Sequence, residues 1–128
     1  MSHICDAIIV CCMDFRFQKY IRKWTDENLA GKFFDLVGFA GSTKNLDIIL
    51  SQIEISVSLH KTREVILIHH EECGAYGTES TLEKHTTDLQ KAEKAIQKKY
   101  PHLTIQLYYL CLDGSFQKIT PVPENPAM

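Results

Sequence analysis

What this sequence lacks narrows it first. No stretch approaches the roughly 20 consecutive apolar residues that cross a membrane. Lys plus Arg (14) nearly balance Asp plus Glu (16), for a net charge of −2. A membrane partner and a nucleic-acid partner are therefore not expected. The opening MSHICDAIIVCCMDF has no basic segment ahead of its apolar run, which Asp14 cuts short. No secretory signal is expected, and the cytoplasm is the expected compartment. The cysteines are odd in number: Cys5, Cys11, Cys12, Cys73 and Cys111. Without an export signal this argues against a disulfide framework and for reduced thiols, buried or metal-bound. Internal repeats and low-complexity linkers are also missing. The remaining expectation is a single domain over 1–128, large enough for a continuous core, with a loose Pro-rich tail from about 119.

What is present reads as alternating strands and helices. DAIIVCC is continuously apolar and β-branched, the pattern of a strand buried on both faces. FQKYIRKWTDENLA places Tyr20, Ile21 and Trp24 at helical spacing, and Gly31 supplies a stop. KFFDLVGF reads as a second strand. A helix over about 44–61 follows, with Leu46, Ile49, Leu50, Ile53 and Val57 on one face and Ile48, Ile55 and Leu59 elsewhere. Apolar residues nearly all round predict deep burial, against a second subunit among other possibilities. EVILIHH is a third buried strand, 81–99 a mostly polar helix striped by Leu82, Leu89, Ala92 and Ile96, and LTIQLYYLCL a fourth strand. DGS then turns the chain back into FQKIT, a short antiparallel edge strand. The predicted fold is α/β in three layers: a mostly parallel four-stranded sheet, that short antiparallel edge strand, and helices packed on the faces.

Ligands in such sheets bind beyond the carboxyl ends of the strands. Two doublets lie there: Cys11-Cys12 ends the first strand and His69-His70 the third. Neighbouring side chains on a strand point to opposite faces, so one member of each doublet should face a site and the other the packing. His70-x-x-Cys73 can close on one metal as the chain leaves the strand. His69 would give a wider, feasible spacing, and spacing alone does not separate Cys11 from Cys12. Two thiolates with one imidazole suit zinc, with a fourth position open to water.

Three rival motifs fail on counting. A low-molecular-weight phosphatase loop needs five residues between Cys and Arg, whereas Cys12 and Arg16 enclose three and Cys11 and Arg16 four. The zinc nucleobase deaminases require P-C-x-x-C after H-x-E, and this chain has none. Gly38-Phe39-Ala40-Gly41 is only G-x-x-G and lacks the dinucleotide fingerprint.

Cys12-x-Asp14-x-Arg16, followed by His70-x-x-Cys73-Gly74 after a buried strand, resembles the β-class carbonic anhydrases, over about residues 5–118. The resemblance implies Cys12, His70 and Cys73 as ligands of Zn2+, with Asp14 and Arg16 as the catalytic dyad. It implies reversible hydration of CO2 to bicarbonate by hydroxide on the metal. Cys11 then becomes a buried packing residue, and His69 a neighbour standing where the family usually has glycine.

The chain departs from the family in places. The common Arg-Asn-Ala-Gly-Asn loop stands here as Gly38-Phe39-Ala40-Gly41-Ser42. Glu71 and Glu72 follow the ligand histidine, either as solvated loop charges or as groups that alter the pocket. The N-terminal helical arm of the family is not seen before the first strand. Rival functions on the same scaffold are hydrolysis of COS or CS2 and non-catalytic zinc binding. A homodimer or higher homo-oligomer is expected from the apolar helix at 44–61. His3, His60, His85 and His102 read as surface or packing residues.

Overall fold

The structure is a computed structural model and describes residues 3–121. Its sheet has five strands in the order β2-β1-β3-β4-β5: β1 Ala7–Cys11, β2 Phe34–Gly38, β3 Glu64–His70, β4 Thr104–Leu110 and β5 Phe116–Ile119. The first four run parallel, and β5 turns back antiparallel on β4 with Leu110 opposite Phe116. This is the predicted arrangement. Among the described residues, no helix is long and apolar enough to cross a membrane.

Three helices complete the layers. α1 (Gln18–Asn28) covers one face, where Ile21 and Trp24 meet Ala7, Ile9, Ile66 and Ile68. α2 (Leu46–His60) and α3 (Leu82–Lys99) cover the other. There Ile49 and Ile53 of α2 and Leu89, Ala92 and Ile96 of α3 pack on Ile8, Val10, Val65 and Leu67. The even and odd positions of β1 and β3 thus feed two different cores. That is why both strands read as unbroken apolar runs.

Thr81 opens α3 by accepting a hydrogen bond from the Lys84 amide, and Lys98 and Lys99 sit in its last turn. Hydroxyl capping and terminal cations both suit the helix dipole. α2 is less deeply buried than its composition suggested: Ile48, Ile55 and Leu59 stay exposed. β2 is an edge strand, with Phe34 and Leu36 open to solvent. Ile119 closes β5 and is buried. Beyond residue 121, the expected tail lies outside the described residues.

Candidate metal centre

Parallel register sets β1 and β3 side by side, Val10 opposite Leu67, so their carboxyl ends open on one edge of the sheet. Cys12 follows β1 directly and His70 closes β3. Cys73 returns to the same point because the intervening loop turns sharply. Glu72 adopts φ +54°, a left-handed conformation uncommon outside glycine. The candidate ligand atoms of Cys12, His70 and Cys73 lie within 4.8 Å of one another, and all three residues are buried.

The histidine ring is held in one pose. Its Nδ1–H donates to the main-chain oxygen of Glu71 at 2.7 Å, and Phe17 packs on the ring with centroids 4.2 Å apart. Nε2 therefore carries the lone pair, yet it is buried and has no hydrogen-bond partner among the described residues. An orphaned polar atom in the interior is costly unless something else binds it. A buried imidazole lone pair beside two thiols is a donor set that fits zinc, and the bonded Nδ1 is the usual outer support of such a ligand.

Local backbone tunes the sulfurs. The Gly41 amide donates to Cys12 Sγ at 3.4 Å. Gly41 has φ +81°, and a side chain there would press within 3.0 Å of Lys44 Cβ and 3.2 Å of Ala75 Cβ. The loop thus needs glycine where its amide reaches the sulfur. Burial raises the Cys12 thiol, and the Gly41 and Asp14 amides pull it back down. Burial, then Cys12, keeps Cys73 above its usual value. Cys11 is pushed up to about 12 by burial and by Cys12, the condition of an inert packing thiol. It sits with Ala7, Ile9 and Phe17 in the core under α1.

Asp14 and Arg16 stand at the mouth. Arg16 donates through Nε to both Asp14 oxygens at 3.2 Å and through Nη2 to Oδ2 at 2.8 Å. The Arg16 amide adds a fourth contact, to Oδ1 at 2.9 Å. These bonds hold the Asp14 carboxyl below the usual carboxylate range. Oδ2 lies 3.9 Å from His70 Nε2. Gln18 fixes the same turn by donating to the main-chain oxygens of Cys12 and Asp14. An open cavity of about 530 Å³ lies before this group, its walls including Met13, Ala40 and Ala75.

The five residues singled out from the sequence are thus brought together. Each doublet also divides as strand alternation requires. His70 joins the sulfurs, whereas His69 points to the opposite face and bonds Thr43 and His85. His85 is fully buried and makes hydrogen bonds through both nitrogens, while His60 is tied to Asp35 at 2.7 Å. Burial first, then neighbouring histidines, keeps His69 well below its ordinary pKa, and burial with His70 takes His85 down to about 4. Sequence reasoning missed two connections. One is this histidine pair; the other is Arg16 to Glu72, whose main-chain oxygen accepts from Nη2 at 2.9 Å. Glu71 is not simply solvated, since its Oε1 accepts from the Leu112 amide at 2.8 Å.

The fold and its residues have recognisable relatives. The family described as "Putative carbonic anhydrase" matches residues 2–120. An uncharacterized protein of Rickettsia bellii is 30% identical, the match covering 88% of this chain and 80% of that one. An uncharacterized protein of Rickettsia conorii is also 30% identical, over 91% and 73%. Among solved structures, the carbonic anhydrase of Streptococcus mutans superposes with a TM-score of 0.69 at 17% identity, covering 93% of this chain and 84% of that one. The carbonic anhydrase from Glaciozyma antarctica gives 0.66 at 21% identity, over 94% and 85%. A Coccomyxa β-carbonic anhydrase, solved with acetazolamide, gives 0.63 at 13%, over 94% and 75%. This chain belongs to the putative carbonic anhydrase family and has the fold of the β-carbonic anhydrases.

Proposed function

We propose that this protein is a zinc-dependent lyase of the carbonic anhydrase type, converting CO2 and water reversibly to bicarbonate. The observation that carries the reading is the orphaned, buried His70 Nε2 facing two thiols, with an ionised Asp14 oxygen 3.9 Å away. Cys12, His70 and Cys73 would hold the ion. When bound, zinc supplies a Lewis acid that makes water nucleophilic near neutral pH. The rest falls to this chain's own residues. Asp14 Oδ2 accepts a hydrogen bond from the reacting water and orients it. Arg16 keeps that carboxylate ionised and aimed, since each of its contacts favours the charged form. The walls formed by Met13, Ala40 and Ala75 give a small apolar substrate a place to approach.

Stopped-flow CO2 hydration by the zinc-loaded protein tests this. Turnover well above a Cys12→Ser, Asp14→Ala double variant is expected. Sulfide release from COS or CS2 without CO2 hydration would move the assignment to a hydrolase. Bound zinc with no turnover of any of the three would leave only a zinc-binding protein.

The protein is further proposed to form a homodimer. Among the described residues β2 is an outer strand of the sheet, its Phe34 and Leu36 are exposed, and Phe33 beside it is 76% exposed. Ile48, Ile55 and Leu59 of α2 add further apolar surface. An open apolar edge of this kind invites a partner. A monomer mass by light scattering at micromolar concentration would contradict it.

A further inference from the structure

On the face of β3 opposite the His70 ring, polar groups form a continuous chain that is buried up to its half-buried Ser80 end. The Thr43 hydroxyl lies 2.7 Å from His69 Nε2, and the Thr43 amide points at the same nitrogen from 3.4 Å. His69 Nδ1 lies 2.8 Å from His85 Nδ1. His85 Nε2 lies 2.9 Å from Ser80 Oγ, which also accepts the Cys73 amide at 2.9 Å. Thr43, His69 and His85 are buried, and Tyr76 packs its ring against both histidines.

The direction of the chain follows from the donors. A main-chain amide has only a proton to offer, so His69 Nε2 accepts from Thr43. His69 therefore carries its proton on Nδ1 and donates to His85 Nδ1. His85 in turn carries its proton on Nε2 and donates to Ser80. Only one proton fits between two ring nitrogens 2.8 Å apart, so the two imidazoles must hold complementary tautomers.

The two ends of this chain lie in the loops that serve the two sulfurs. Thr43 belongs to the turn in which Gly41 donates to Cys12 Sγ, and Lys44 closes that turn by donating its amide to Gly41. Ser80 accepts from the ligand residue Cys73 itself. We infer that His69 and His85 are positioning residues for the metal centre, a buried brace that fixes the spacing of the Cys12 and Cys73 loops. The inference rests on the metal reading above. It also accounts for a histidine beside the ligand histidine: a side chain at position 69 bridges the two loops across the sheet face.

Zinc affinity by chelator competition, together with the visible spectrum of the cobalt-substituted protein, tests the brace without reference to turnover. His85→Phe fills the space but breaks the chain, and Ser80→Ala removes the link to Cys73. Each is expected to weaken zinc about tenfold or more and to shift the cobalt–thiolate bands. His85→Gln, which keeps a donor and an acceptor, should recover most of the loss. Leu89→Ala, an apolar core change on the same helix, should lower stability and leave both readouts at wild-type values. Wild-type affinity and spectrum in His85→Phe and Ser80→Ala would overturn the inference, as would an equal loss in Leu89→Ala. If His85→Phe does not fold, Ser80→Ala decides. Wild-type protein that binds no zinc would overturn the metal reading and this inference with it.

Discussion

Arg16 joins the loop after β1 to the loop after β3 through Glu72: its Nη2 donates to the Glu72 main-chain oxygen at 2.9 Å while also gripping Asp14 Oδ2 at 2.8 Å. The orientation of Asp14 is therefore referenced to the segment that carries His70 and Cys73. The contact to the Glu72 side chain is a different matter. It is 3.5 Å long and 64% of that side chain is exposed.

Replacing Arg16 should therefore cost activity more than metal. Arg16→Gln is expected to lower kcat/KM for CO2 hydration about 10- to 100-fold at unchanged zinc content. Glu72→Ala, which spares the main-chain contact, should stay within about twofold of wild type, since exposed ion pairs contribute little. Stopped-flow assays of both variants, with zinc measured by elemental analysis, check the pair.

The Cys doublet gives a sharper contrast. Cys12→Ser should lose tight zinc binding. Cys11→Ala should bind zinc normally and lose about 1–2 kcal/mol of stability, because Cys11 only fills the core under α1. Metal titration and denaturant unfolding of the two variants separate a ligand from a packing residue.

Much of this was legible in the residues. Strands β1 and β3 announced themselves because each feeds two cores, and the doublets at their ends followed from parallel topology. The depth of α2 was only partly legible: apolar residues all round predict burial, but a helix lying on one side of a sheet buries one face within its own chain, leaving Ile48, Ile55 and Leu59 exposed there. The His69–His85 pair had no sequence signal. It joins a strand end to a helix 16 residues later, and period and spacing carry no information on hydrogen bonds between interior side chains.

Folded protein resists protonating His85, whose pKa is about 4 against an ordinary 6.5. A depressed folded pKa means the unfolded chain binds the extra proton first. The associated stability is thus fully present above about pH 6.5 and lost as pH falls toward 4, up to roughly 3 kcal/mol. Metal-free His85→Phe lacks this loss, so the stability gap between wild type and variant should narrow across that window. Urea unfolding at several pH values measures it; a constant gap would contradict the assignment.

The turn between β4 and β5 makes a separate structural demand. Gly114 has φ +91°, and a Cβ there would come within 2.6 Å of the Tyr20 ring. Gly114→Ala should cost about 1–3 kcal/mol through strain and crowding. A thermal melt of the variant checks this, and a wild-type midpoint would count against the close packing of Tyr20.

The zinc assignment requires one member of each doublet, Cys12 and His70, to close on a single ion with Cys73. X-ray absorption at the zinc edge of the zinc-loaded protein reads that ligand set directly. The expected result is two sulfurs at about 2.3 Å and one imidazole nitrogen at about 2.0–2.1 Å, with a light atom completing four. No sulfur shell, or one of three or four sulfurs, would contradict it.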